Sequence, residues 1–376
     1  MNAPPFCPNR QCSAHEEAPK PHTWYRLAGT YLTLAFGLIQ RFVCTLCDTG
    51  FSSQTFSVDY YAKRTVDYRA MLRMLKSGSS TRDISRDLKV STATVANRFT
   101  RLARQAIAAH QQLTDSLALS EQLVADGFES FTTSQYFPNN INVLIGKNSQ
   151  YVYDLSYLPL RRKGVMTEKQ KQRRGELDEL YRPDEGAATG AFSRLCDTAL
   201  GLFDRSELPK LILHTDEHPA YVGAIREHPQ LQQLIGKNRF IHHRVNSDHP
   251  RVPGGPLFSV DYIDREFRKD LANHVRETVK FARNVNDCMA RMVVYLAHHN
   301  FKKVYRIRHE RSDLRTHAEI AGAAEANAKK AWSTLFGQRR FLSKQKLSES
   351  LRKIWLRELV TPLREGDEWV PSYARM

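Results

Sequence analysis

The spacing of apolar residues changes period several times along this chain. Between residues 66 and 110 they recur at three- and four-residue steps: Met71, Met74 and Leu75, then Ile84 and Leu88, then Val95, Phe99 and Leu102. That spacing predicts three helices, separated by the breaks 76–80 and 89–91, with Ser80 or Thr81 capping the second. Beyond Leu119 the apolar runs shorten to 123–125, 142–145 and 151–155, which read as strands. The turns joining them, around 138–140 and 146–148, are short enough to imply antiparallel pairing. Phe192, Leu195, Ala199 and Leu202 mark a further helix, and Pro209 leads into a strand at 211–213 that delivers Asp216 just before Pro219. Another helix and a strand at 239–243 follow. Val260, Ile263, Phe267, Leu271, Thr278, Ala282, Val285, Met289 and Leu296 then predict one long helix with its stripe against the sheet. The segments 316–332 and 344–359 are helical, the second basic and amphipathic.

A chain of 376 residues exceeds one small core, and the changes of period divide it. Residues 1–60 form a cysteine-bearing unit, 61–115 the three-helix unit, 116–305 a mixed α/β unit and 306–376 a helical extension. Lys and Arg outnumber Asp and Glu by 56 to 40, a formal charge of +16, which points to a polyanionic partner, nucleic acid before membrane. The basic segment 161–174, within an insertion spanning 161–190, has almost no apolar residues. It is expected either to be disordered until it meets phosphates or to be a solvated loop. No apolar run is long enough for a membrane span, and no basic signal start precedes the apolar stretch 27–39, so a cytoplasmic protein is expected. In that compartment six cysteines are ligands or buried thiols before they are disulfides.

Candidate chemistry sits at three places. Cys7 and Cys12 make one close pair, Cys44 and Cys47 another, and two such pairs suit one tetrahedral structural zinc. Gly50-Phe51 leaves the second pair as in a zinc ribbon, and His15 or His22 remains an alternative to one cysteine. The second and third helices of the three-helix unit have helix-turn-helix spacing. That arrangement would bring Ser91, Thr92, Thr94, Asn97 and Arg98 to base edges, while Lys89 occupies a place where a small turn residue is common. Finally, Asp126 closes one apolar run, with Gly127 permitting a sharp departure of the backbone, and Asp216 closes another. Two acids on strand ends, with Glu277 on the long helix, supply hard oxygens for magnesium or manganese in phosphoryl transfer.

Together these residues resemble an insertion-sequence transposase of the acidic-triad (DDE) type, with an N-terminal zinc ribbon and helix-turn-helix. The motifs are Cys44-x-x-Cys47 with Gly50-Phe51, Asp126-Gly127, His214-Thr-Asp216, and the stretch from Asp264 through Glu277 to His299-Asn-Phe301; the likeness runs to about Arg306. The resemblance implies a multidomain α/β fold whose catalytic part is ribonuclease-H-like, a mixed sheet with flanking helices. It implies that Asp126, Asp216 and Glu277 bind two magnesium ions, cleave a phosphodiester at the element's end and pass the freed 3′ hydroxyl into target DNA. Arg161, Arg162, Lys163, Lys280 and Arg283 become candidates for phosphate contacts. Implied partners are double-stranded DNA, at element ends and target, and further copies of the chain, with no membrane and a nucleoid-associated location. Glu266 competes with Glu277 for the third place; eleven residues apart on one helix, they would stand about 16 Å apart. A DNA-binding regulator with a non-catalytic third unit, or a structure-selective nuclease, would share most of these features.

Overall fold

The computed structural model describes residues 3–17, 20–246, 248–250, 252–275, 280–306 and 313–376. The N-terminal unit opens with a short helix, α1 (Ser13–Glu16), followed by the antiparallel strands β1 (Tyr25–Thr33), β2 (Gly37–Cys44) and β3 (Gly50–Ser52). Its own small core gathers Trp24, Tyr25, Phe42 and Phe51 around the cysteines.

Three helices come next: α2 (Tyr68–Lys76), α3 (Thr81–Asp87) and α4 (Thr92–Asp115). Their starts follow from side-chain caps that satisfy the first free amides. Asp67 accepts from Arg69 and Ala70, Ser80 from Asp83, and Ser91 from Thr94. Lys89 takes a left-handed φ of 51°, which explains why the turn between α3 and α4 is a place for small residues. At 24 residues α4 far outlasts a recognition helix, and from Arg101 to His110 every position is buried. Its second half is therefore a central strut of the molecule.

The main sheet begins with β4 (Leu123–Phe131), β5 (Pro138–Gly146) and β6 (Val152–Pro159), paired antiparallel. After α5 (Glu168–Leu180) and α6 (Ala187–Asp204) come β7 (Leu211–Asp216), α7 (Pro219–Glu227), α8 (Pro229–Gly236) and β8 (Phe240–Val245). β7 joins β4 and β8 in parallel, giving the order β6-β5-β4-β7-β8. The chain continues through α9 (Phe258–Asp270) and α10 (Val285–Phe301), then β9 (Val304–Arg306) and β10 (Asp313–Thr316), which pair antiparallel. α11 (His317–Ile320), α12 (Glu325–Thr334) and α13 (Glu349–Leu356) complete a mixed α/β fold, with thirteen α-helices among the described residues. One continuous buried cluster runs from Val58 through α4 and the sheet to Leu356, so packing continues across residues 115 and 305.

Three expectations are corrected. The stripe from Val260 to Leu296 belongs to two helices: the backbone turns extended at Leu271, and Asn284 starts α10 by accepting from the Asp287 amide at 2.9 Å. Leu271 and Val285 are both fully buried, so both helices keep the same spacing and periodicity could not reveal the break. Second, the basic segment contains a helix. Thr167 and Gln170 form a capping box, and Arg173–Glu176, Arg174–Asp178 and Arg161–Asp178 pair interleaved charges at 2.6 to 3.8 Å. Third, β4 continues through Gly127 without turning. A Cβ there would lie 2.1 Å from the Asn140 amide on β5, so the glycine makes room for a cross-strand neighbour.

Candidate functional site

Parallel pairing sets Leu123 against Leu213 and Val124 against His214. The ladder ends there, and Asp126 and Asp216 each follow it by two residues on these adjacent strands. Each carboxylate is held by a nearby amide: Oδ1 of Asp126 accepts from Gly127 N at 2.7 Å, and Oδ1 of Asp216 from His218 N at 2.9 Å. His218 then caps α7 through Ala220, with Pro219 in the first turn, so the strand-to-helix corner fixes Asp216 at the sheet's edge. Both acids are half-buried.

Among the described residues a further acid, Asp264, lies on α9, the helix packed on the same face of β4. On the face that Asp126 shares with Phe128, Phe128 packs edge-on against Phe267 of α9, centroids 5.3 Å apart. One residue further on both elements, Arg268 donates to the Glu129 carbonyl at 3.5 Å. Beyond α9, His274 bonds Ser130 at 2.7 Å, so the two elements advance together. Asp264, about one helical turn before Phe267, accordingly comes alongside Asp126. The buried Tyr221 of α7 registers the same convergence: burial raises its phenol above the ordinary range, and the charges of Asp126, Asp216 and Asp264 raise it further.

Glu266 is differently employed. It is buried and ion-paired to Lys303, to Lys269 at 2.7 Å and to Arg265 at 3.8 Å. Burial alone would raise its carboxyl, but hydrogen bonds from Lys269 and Lys303 outweigh it and hold the group below its usual range. At 100° per residue Asp264 and Glu266 lie on opposite margins of the Val260, Ile263, Phe267 stripe, and only Glu266 of the two is weighed as a ligand from the sequence. Glu277 falls outside the described residues. Lys280 and Arg283 lie on an extended segment bridged to Thr132 through Ala282, roughly 20 Å along β4 from Asp126, rather than on a helix beside the acids.

The other expected residues fall in different settings. Ser91 and Thr92 are exposed at the start of α4 and Thr94 is half-buried. Asn97 and Arg98 turn inward: Asn97 Oδ1 accepts from Arg98 and Arg101 at 3.0 and 2.9 Å, its amide reaches Tyr373 at 3.2 Å, and Arg98 donates to the Arg64 carbonyl at 3.1 Å. These contacts tie the three-helix unit to the C-terminal segment and leave Arg98 5% exposed. Arg161 is committed to Asp178, while Arg162, stacked on Tyr136 at 4.8 Å, and Lys163 line a cleft of about 820 Å³ with Arg182, Glu129 and His218. That cleft opens beside the Asp216 corner.

The four cysteines form a second centre. Cys7 and Cys47 sulfurs are 3.6 Å apart, Cys12 and Cys44 sulfurs 3.7 Å, and all four lie within 4.8 Å of one another. Tetrahedral zinc–sulfur bonds of about 2.3 Å require neighbouring sulfurs about 3.8 Å apart, so the cluster can hold a structural metal such as zinc. Burial pushes the Cys7 and Cys12 thiols up. It acts on Cys47 in the same direction, but hydrogen bonds from Thr49, Asn9 and Cys12 outweigh it and draw this thiol down to about 6. His15 is not a ligand, since its ring bonds the Cys7 carbonyl at 2.7 Å and Ser343 at 2.8 Å. His22 is likewise engaged, with Tyr25 at 2.9 Å. Among the described residues this is the one group gathered tightly enough to close on a metal; the three carboxylates stand further apart. No helix among them is long and apolar enough to cross a membrane.

No protein-family model matches the chain, and no curated protein matches it either.

Proposed function

We propose that the chain is a DNA transposase of the acidic-triad type, cleaving DNA at the ends of an insertion element and joining the freed end to a target. The observation that carries this is the placement of Asp126 and Asp216 two residues beyond the same parallel ladder, with Asp264 on α9, the helix that packs on β4 through Phe267 and Phe128. Strand order β6-β5-β4-β7-β8, with β5 alone antiparallel to both its neighbours, is also the arrangement expected of a ribonuclease-H-like core. Asp264 takes the third place in this assignment ahead of Glu266, and Glu277 lies outside the described residues.

Three half-buried carboxylates near one another repel and favour a divalent cation, and their hard oxygens suit magnesium or manganese. Asp126, Asp216 and Asp264 would hold the ions, which when bound polarise a phosphodiester and lower the pKa of an attacking water or hydroxyl. The residues themselves do the positioning. Gly127 and His218 amides orient two carboxylates, and the α9 backbone sets the third. Arg162, Lys163 and Arg182 line the adjacent cleft, where a phosphate backbone entering the site would meet positive charge. Ser91, Thr92 and the exposed Arg82, Arg86 and Lys89 form the outer face of the helix-turn-helix, and the cysteine unit with zinc forms the ribbon.

Incubating the full chain with labelled duplex ends and magnesium tests the assignment. Metal-dependent nicking followed by joining supports it. Nicking without joining would indicate a nuclease, and binding without either a regulator.

A further inference from the structure

From Leu27 to Gln40 no residue is charged, in a chain that is 26% charged, and this segment forms most of β1, the turn at 34–36 and the first half of β2. β1 is the outer strand of its sheet, whose order is β1-β2-β3. Leu27 pairs with Phe42, Thr30 with Gln40 and Leu32 with Leu38, so these six side chains share one face, the face that lower down sends Phe42 and Cys44 into the cysteine-bearing core. Leu27 and Leu32 are five residues apart and would point to opposite faces of a regular strand. The bulge between Leu27 and Thr30, where Gly29 takes a left-handed φ of 77°, adds the residue that brings Leu27 back to the side of Leu32. The leucines gathered in this way are left to solvent: Leu27, Leu32 and Leu38 are 66%, 78% and 67% exposed, and Leu34 at the tip is fully exposed.

A contiguous apolar face of this kind is rare on a monomer and marks a contact surface. Its chemistry selects the occupant. A phosphate backbone or an anionic lipid surface calls for cations, and between Arg26 and Arg41 the hairpin has none. Two copies of a chain carrying +16 repel where their basic surfaces meet, and an uncharged arm is where they can touch without that repulsion. The leucine face also complements itself, because a two-fold axis sets it against its twin in an isologous contact. Four leucines this exposed offer several hundred Å² of apolar surface per copy, approaching the roughly 800 Å² that a standard interface takes from each partner. We propose that the β1–β2 hairpin is a homodimer contact, in which the Leu27, Leu32 and Leu38 faces of two chains pack across a two-fold axis with Leu34 at the rim. The contact needs neither DNA nor the aspartates, so it stands or falls apart from the catalytic reading.

Sedimentation velocity of the full chain across a concentration series, without DNA or divalent metal, tests this. Wild type should reach twice the 43.2 kDa chain mass at micromolar concentration. Leu32→Glu/Leu38→Glu should raise the dissociation constant about 30-fold or more, the loss expected when central apolar anchors are removed. Leu32→Ser/Leu38→Ser, which adds no charge, should weaken the dimer in the same direction by about tenfold. Both leucines are exposed in the single chain, so the thermal midpoint and the metal content should match wild type in each variant. Wild type that stays at the single-chain mass throughout, or a dimer that neither double variant weakens, overturns the proposal. Single-chain wild type that floats with phosphatidylcholine vesicles also overturns it and assigns the hairpin to a lipid surface.

Discussion

Two clusters of ligand-bearing side chains occupy opposite ends of the chemical range in this molecule. The four cysteines are soft, largely buried and already at tetrahedral spacing, drawn from α1's approach and from the β2–β3 turn. The three aspartates are hard, half-exposed and not gathered to that spacing, and they come from two strands and a helix distant in sequence. A closed set with no free position is suited to holding a fold together; an open set that substrate oxygens can complete is suited to turnover. On the proposed function, the pair would separate a structural centre from a reactive one within a single chain.

Substitutions that split the two centres should have the largest effects. Asp126→Asn or Asp216→Asn should take magnesium-dependent DNA cleavage below detection while leaving about one zinc per chain by metal analysis. Cys44→Ser should do the reverse to the metal, losing the zinc and the fold of residues 3–60, since structural zinc supplies roughly 10 kcal/mol or more of folding energy. A single variant that removes both would erase the distinction.

The next contrast lies within α9. Asp264→Asn should abolish cleavage with an unchanged denaturation midpoint. Glu266→Gln should retain cleavage per folded molecule but lower stability by about 1 to 3 kcal/mol, because it removes the charged hydrogen-bond partner of the half-buried Lys303. Interchanged outcomes, read from urea melts and turnover, would return the third place to Glu266. The two acids also bracket what the sequence could tell. The cap at Ser80 and the strand identities were legible because they depend on local periodicity and cap chemistry. The break at Leu271 and the rotation of α9 were not, since both depend on what the helix packs against. Arg98 was misjudged for a related reason. Its burial depends on the segment before α2 packing against α4, where it donates to the Arg64 carbonyl at 3.1 Å and pairs with Asp59 at 3.7 Å.

A smaller effect is expected from acid. Burial lowers His274 to about 3 and His317 to about 4, and holds His299 well below its usual range. A histidine whose folded pKa is depressed binds fewer protons folded than unfolded, so its neutral state favours the fold above about 6.5 and that advantage is lost as pH falls below it. The midpoint of thermal unfolding should therefore drop between pH 7.5 and 5. His317→Gln should make that drop shallower, and an unchanged slope would remove His317 from the explanation. Glu266, held below its usual range, should add a further loss below about 4.5, absent in Glu266→Gln.

The central claim is that Asp126, Asp216 and Asp264 together form a divalent-metal site. Anomalous diffraction from crystals soaked in manganese tests it without reference to turnover. The account predicts manganese within about 2.1 Å of carboxylate oxygens from Asp126 and Asp216, with Asp264 completing the site. Manganese bound instead beside Glu266, or absent from Asp126 and Asp216, would contradict it.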